Sequence, residues 1–368
     1  MRVAILTADY PPRVWSGIGV AVHRQATDLA RLGCSVVVIR GPDALPSSVR
    51  RADWIHVHSL ALTELALRLR DELGARLAYT VHTQPWLELG SHPRRRFWLD
   101  VQTRLLASCD HAIFLSAAEL AAAGALFPAL PPAVVIPNGV PPPPLALPGR
   151  AERRAVLFAG RFAASKGVDL LVECVRRVRR ASDVAVQLVG GHGDPGSVAA
   201  VTRLASEGGC ELAGWIPREA LDARLARSLL AVVPSRYEPF GMIALEAMRM
   251  GVPVLAASVG GLRDTVREGS GGVLLDSSDP RIWAEQILRI TGDEELWTRL
   301  HRRGPPFVER YYRSSHVAER LLREVYAPSA YGSGEENAPP RLAPLDCRFS
   351  RCTRRKSASQ SRALSDQE

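Results

Sequence analysis

Short apolar runs alternate along this chain with longer stretches whose apolar positions recur every three or four residues. That rhythm is the signature of parallel strands joined by helical crossovers. In the first half the strand-like runs are "VAILTAD" (3–9), "SVVVIR" (35–40), "WIHVH" (54–58), "LAYTVHT" (77–83), "HAIFLS" (111–116) and "AVVIPN" (133–138). Behind the first of them, Val22, Ala26, Leu29 and Leu32 fall on one helical face, and Gly33 is placed to end that helix.

"GVPPPPLALPGRAERR" (139–154) breaks the rhythm, because four consecutive prolines cannot pair into a central strand. Strand-like runs then resume with "AVLFAGR" (155–161), "AVQLVGG" (185–191), "CELAGW" (210–215), "LLAVVPS" (229–235), "VPVLAAS" (252–258) and "GGVLLD" (271–276). The pattern predicts an α/β protein of two doubly wound, Rossmann-like domains, residues 1–148 and 149–310. Helical patterns continue through "DPRIWAEQILRI" (279–290) and "SSHVAERLLREVY" (314–326). Residues 328–368, rich in Ser, Pro, Gly and charge, are expected to be disordered.

Composition removes several function classes. The chain has 368 residues, 46% of them hydrophobic, enough for two real cores. No run approaches the roughly 18 apolar residues of a membrane span, and neither end reads as a secretory segment. The six cysteines are scattered, so reduced cytosolic thiols are expected and no zinc site is. The net charge of +9 invites anionic partners. Yet of the 47 basic residues only Lys166 and Lys356 are lysine, an arginine bias that a G+C-rich genome produces by itself. Nothing resembles a nucleic-acid-binding motif, and no nucleic acid is expected as partner.

Candidate chemistry gathers where strands end and helices begin, the edge at which parallel sheets bind ligands. Gly17 and Gly19 precede a helix N-terminus, whose amides favour a phosphate. Arg161 ends the first strand of the second half, and Lys166 stands just before the next helix. Together they offer a fork and a point charge to a pyrophosphate. In "SRYEPFGMIALEAMRMG" (235–251), Glu238 lies in a loop and Glu246 inside the following helix, among apolar neighbours where a free charge is expensive. A hydroxyl-rich ligand would satisfy it. A pair of carboxylates also suggests glycoside hydrolysis, but one loop–helix unit places both along the same side of a ligand rather than astride a scissile bond. His56 and His58 share one strand face and read as satisfied, half-buried histidines, with no third metal ligand. His82 ends its strand at the crevice edge. "SHPRRRFWLDVQTRLLASC" (91–109) is basic and aromatic at its start; it suits peripheral contact with an anionic membrane, against the plainer reading of a solvated helix.

These motifs, spread over residues 1–327, resemble the retaining, nucleotide-sugar-dependent glycosyltransferases of family 4, with the GT-B fold of two Rossmann-like domains facing a cleft. The resemblance rests on Gly17 with Gly19, "YTVHT", "VIPNGV" (135–140), "AGRF…SKG", the E-x7-E spacing of Glu238 and Glu246, and "VGGLRDTV" (259–266). It implies that Arg161 and Lys166 hold the donor pyrophosphate together with amides near Gly17. Glu238 and the amides of Phe240, Gly241 and Met242 would meet the transferred sugar and phosphate, Glu246 the ribose, and His82 the sugar from the first domain. Residues 311–327 would form a closing helix that packs back on that domain. The implied reaction is a front-face displacement with no metal and no cofactor, from a UDP- or GDP-sugar to an acceptor that is a small secondary metabolite or a cell-envelope precursor. The first loop carries Ser16-Gly17 where the family commonly has Gly-Gly. Two rival classes are a non-catalytic nucleotide-sugar-binding module and a glycoside hydrolase.

Overall fold

The computed structural model describes residues 1–327, apart from residues 13, 15, 42–44, 91, 192 and 194. The expected disordered tail, with Cys347 and Cys352, lies outside the described residues. Each apolar run becomes a parallel strand, and the strands form two six-stranded sheets. The first contains β1 (Arg2–Leu6), β2 (Ser35–Ile39), β3 (Trp54–Val57), β4 (Arg76–Val81), β5 (His111–Phe114) and β6 (Ala133–Val135), in the order β2-β1-β3-β4-β5-β6. The second contains β7 (Ala155–Gly160), β8 (Ala185–Gly190), β9 (Glu211–Gly214), β10 (Ser228–Val233), β11 (Val254–Ala257) and β12 (Gly272–Leu275), in the order β12-β11-β10-β7-β8-β9. Strands covered on both faces need apolar side chains throughout, which is why continuous rather than alternating runs announced them.

In the first half, α1 (Gly17–Arg31) follows β1 and α2 (Thr63–Leu73) follows β3. α3 (Pro85–Glu88) and α4 (Arg95–Ser108) join β4 to β5, and α5 (Ala117–Leu126) follows β5. In the second, α6 (Val168–Ala181), α7 (Pro195–Gly208), α8 (Arg218–Ala226), α9 (Met242–Arg249) and α10 (Leu262–Thr265) follow successive strands. α11 (Pro280–Gly292), α12 (Glu294–Tyr312) and α13 (Ser314–Leu321) come after β12. On α1, Val22, Ala26 and Leu29 are buried as expected, but Leu32 caps the helix and is 41% exposed. Gly33 takes φ +85° and turns the chain, in keeping with its expected role.

The helix α12 runs against its own sequence. Pro305 and Pro306 sit inside it, each removing an amide hydrogen. It persists because Trp297, Leu300, Phe307, Val308 and Tyr312 are buried along one side, and each buried side chain of this size contributes about 1.5–3 kcal/mol. Gly304 allows the close contact: a Cβ there would lie 2.6 Å from the carbonyl oxygen of Met248 on α9.

The chain passes between the sheets twice, at Val140 and at Arg313, and the two passages are bonded to each other. Val140 N donates to Tyr312 O at 2.8 Å and Ser314 N donates to Val140 O at 2.9 Å. Beyond the second passage, Val317, Ala318, Leu321, Val325 and Tyr326 enter one apolar cluster with Val22 and Leu29 of α1 and with Trp54 and Ile113 of the first sheet. Trp54 Nε1 donates to Tyr326 O at 3.1 Å. Among the described residues, no helix is long and apolar enough to cross a membrane.

Candidate functional site

In the second sheet the strand order turns around at β7, which pairs with β8 on one side and β10 on the other. Loops leaving the C-terminal ends of β7 and β10 therefore diverge and open a crevice. After β7 come Arg161 and a tight turn ending in Lys166. Gly167 follows at φ +64°, where a Cβ would stand 1.9 Å from Pro234 O, so glycine alone lets this turn approach the loop after β10. The two loops are laced together: Arg236 N and Tyr237 N donate to Ser165 O, and the Arg236 guanidinium grips Asp169 with two bonds of 2.7 and 2.6 Å.

That lacing places Lys166 Nζ 2.8 Å from Glu238 Oε2, to which Ser235 Oγ also donates at 3.1 Å. The Lys166 and Glu238 side chains are only 18% and 12% exposed. Gly260 and Gly261 press against the backbone of residues 238–240, where side chains would collide with carbonyl oxygens. Gly241, at φ +92°, opens α9 without a side-chain cap, so the leading amides of that helix have no side-chain acceptor.

Across the crevice stands the switch point of the first sheet, between β1 and β3. Gly17 lies against Met242, with room for no more than van der Waals contact. The amides after Gly17 are not open as expected. Ile18 N donates to Ser16 Oγ at 3.1 Å and Gly19 N to Asp9 Oδ2 at 3.3 Å, while Ser16 Oγ donates to the same Asp9 carboxylate. The α1 N-terminus is thus capped from within, and Gly19 is needed because a Cβ would strike Asp9. Arg161 and Lys166 do not share one anion here either. Arg161 reaches across to Glu88 on α3, which also accepts from Thr83 Oγ1 at 2.6 Å. Burial pushes the Glu88 carboxyl up, but Arg161, Thr83 and Lys166 together hold it below the ordinary glutamate value.

More polar contacts bridge the two sides. Tyr237, inside the E-x7-E segment, donates through its hydroxyl to Glu119 Oε2 of α5 at 2.9 Å and accepts from Gln84 N at 3.0 Å. Ser116 Oγ donates to Pro239 O, and Ala117 N donates to Asp264 Oδ2, each at 3.0 Å. Burial raises the Glu119 carboxyl above its ordinary range, countered by its bonds from Tyr237 and Gln84.

Glu246 is 3% exposed, as its apolar neighbours led one to expect, and a protein group already satisfies one of its oxygens. Arg218 of α8 donates to its Oε1, and the other arm of the same guanidinium donates to Asp222 Oδ1 at 2.8 Å. Arg249 lies 3.8 Å from Asp222. Arg24 of α1 faces this group; burial first, then the Arg218 charge, lowers its pKa to about 10.

His56 and His58 share a face as expected, their ring centres 4.2 Å apart, and both are buried outright rather than in part. Burial holds them neutral, lowering His56 to about 3. His82 joins them through His58, and its Nδ1 is buried without a partner. Among the described residues no group of three or more His, Cys, Asp or Glu is arranged to hold a metal ion. The basic segment forms α4, and beside it Trp86, Leu87 and Phe97 are 40%, 42% and 58% exposed, with the Arg95 guanidinium 3.3 Å from the Trp86 ring centre.

Glu88, Glu119, Tyr237, Asp264 and Arg218 were not singled out in the sequence. Tyr237 and Asp264 carried a signal, their places within the glutamate motif and within "VGGLRDTV".

Comparison with known proteins agrees with this fold. The family model described as "Glycosyl transferases group 1" matches residues 153–293, and "Glycosyl transferase 4-like domain" matches residues 44–139. The D-inositol 3-phosphate glycosyltransferase of Thermobispora bispora is 30% identical over 303 residues, covering 75% of this chain and 70% of that protein. Among solved structures, sucrose-phosphate synthase from Thermosynechococcus elongatus superposes with a TM-score of 0.75 at 23% identity, over 89% of this chain and 100% of that one. Anabaena HepE in complex with UDP-glucose superposes with a TM-score of 0.72 at 18% identity, with the same coverage.

Proposed function

The chain belongs to the group 1 glycosyltransferases of GT-B fold, enzymes that transfer a sugar from a nucleotide sugar, and we propose that it does so with retention of the anomeric configuration, without a metal. One observation carries the proposal. Two cations, Arg161 and Lys166, are each held by a carboxylate at the crevice beside the uncapped start of α9. A donor diphosphate would replace those carboxylates, taking Arg161, Lys166 and the amides of Phe240, Gly241 and Met242. The amide of Gly17 would close on it from the opposite side.

Glu238, released from Lys166, would accept from hydroxyls of the transferred sugar, and His82 would meet that sugar from β4. Glu246 would accept from the ribose through its second oxygen while Arg218 keeps the first. The base would lie toward the hollow at the ends of β8 and β9, lined by Gly190, Gly191 and Trp215. The bond from the anomeric carbon to the diphosphate breaks as the acceptor oxygen bonds to the same face. The acceptor's proton passes to the leaving phosphate oxygen, and Arg161 and Lys166 stabilise the charge that develops there.

The complex of HepE with UDP-glucose favours a UDP-sugar as donor, with a GDP-sugar as the second choice. For the acceptor, the exposed Trp86, Leu87 and Phe97 beside Arg94, Arg95 and Arg96 favour a cell-envelope precursor met at an anionic membrane surface over a free metabolite. A thermal-shift panel of UDP-, GDP- and ADP-sugars tests the donor, because ligand stabilisation scales as RT ln(1 + [L]/Kd). NMR of the product's anomeric proton then tests retention. No response to any nucleotide sugar, or an inverted product, would refute the proposal.

A further inference from the structure

The three buried histidines form a hydrogen-bonded chain that ends on an unmatched atom. Gln25, in the middle of α1, places its amide nitrogen 3.2 Å from His56 Nδ1 and 3.5 Å from His58 Nε2. His58 Nδ1 stands 2.8 Å from His82 Nε2, and His56 Nε2 stands 2.7 Å from Thr80 Oγ1, with the Tyr326 hydroxyl on His56 Nδ1. His82 is 7% exposed, and its remaining nitrogen, Nδ1, has no partner.

Burial lowers His56 and His82 to about 3 and carries His58 the same way, so each ring is neutral near pH 7 and has one N–H and one bare nitrogen. The proton positions then follow in order. The amide nitrogen of Gln25 only donates, so His56 Nδ1 and His58 Nε2 accept. His56 therefore carries its proton on Nε2 and donates to Thr80, and His58 carries its proton on Nδ1 and donates to His82 Nε2. His82, accepting at Nε2, must hold its proton on Nδ1.

We propose that Gln25 sets the tautomer of His82 through His58, so that His82 presents Nδ1–H as a donor to a hydroxyl oxygen of the transferred sugar. The sugar contact rests on the role given to His82 above; the tautomer chain does not. Gln25 and His58 are positioning residues, and only His82 touches the substrate. A buried donor without an acceptor is unfavourable, and a ligand oxygen removes that penalty. Neutral histidines act in this way only when a second partner fixes which nitrogen carries the proton.

Long-range 1H–15N correlation spectra of the full chain labelled with 15N-histidine read the tautomers directly, and the His82 signals are identified by their loss in His82→Asn. The expected result for the wild-type protein is protonation of His82 on Nδ1; protonation on Nε2 would overturn the proposal. In Gln25→Glu the carboxylate only accepts, so His58 should donate from Nε2, accept at Nδ1, and leave His82 protonated on Nε2. An unchanged His82 in that variant would overturn the role of Gln25. Transfer from the nucleotide sugar should fall about tenfold with the reversal, the loss of one hydrogen bond. A reversed tautomer with unchanged transfer would overturn the sugar contact alone.

Discussion

Replacing Glu238 with glutamine should tighten binding of the free nucleoside diphosphate while removing sugar transfer. Lys166 donates to Glu238 at 2.8 Å, in a site where the two side chains are 18% and 12% exposed. A hydrogen bond to a charged group contributes about 1.5–3 kcal/mol, and with the Lys166 ammonium facing a neutral amide oxygen the bond in the variant sits at the low end of that range. The amide therefore keeps roughly half of the interaction, and about 1–1.5 kcal/mol of it is freed for the incoming phosphate. Loss of the carboxylate also removes repulsion against that phosphate, so both effects have the same sign. The expected change is a fivefold to tenfold lower Kd for the diphosphate, since 1.4 kcal/mol is a factor of about ten. Calorimetric titration of wild type and Glu238→Gln at one ionic strength measures it, with product formation followed in parallel. Equal or weaker diphosphate binding in the variant would refute the idea that Glu238 holds the place of the donor phosphate.

Lys166→Ala should lower kcat about 100-fold, a loss of roughly 3 kcal/mol of stabilisation for the leaving diphosphate; turnover near wild type would sink the assignment. Tyr237→Phe strands Gln84 N within the crevice and leaves Glu119 Oε2 with Gln84 Nε2 as its donor, and urea unfolding should show a loss of about 1–3 kcal/mol, with no measurable change counting against the bridging role. The buried histidines predict the acid side of the stability curve. Their folded pKa values lie below the ordinary 6.5, so the stability they confer is present above that pH and is lost as pH falls toward about 3. With three such groups, unfolding free energy should drop by about 3–4 kcal/mol between pH 6 and pH 5. A drop under about 1 kcal/mol in urea titrations would show that they are not held neutral.

The strands were legible because parallel strands buried on both faces require uninterrupted apolar runs, and all twelve runs became strands within a few residues. α12 was not: the helical pattern is followed to 290 and taken up again at 314, and Gly304, Pro305 and Pro306 lie between. What overrides them is burial against α9, a contact between segments about fifty residues apart that no local pattern displays. In the site, the glycines and glutamates announced themselves by spacing. Their partners did not: Arg218 on Glu246, Glu88 on Arg161 and Asp9 on the start of α1 are choices among many charges, settled only by how the chain is folded. Leu32 shows the converse, a residue in phase with the apolar face that lies one step past the end of the packed helix.

The packing of α13 on the first sheet also governs the order in which the protein is completed during synthesis. The last strand of that sheet ends at Val135, yet Val317, Leu321, Val325 and Tyr326 fill its apolar cluster. A ribosome adds about 5–20 residues per second, so these side chains emerge roughly 10–40 s after the sheet that needs them. Until then the nascent half carries an open apolar face over Val22, Leu29 and Trp54, while the second sheet has all its strands by Leu275. The half that leaves the ribosome first is the half that is sealed last.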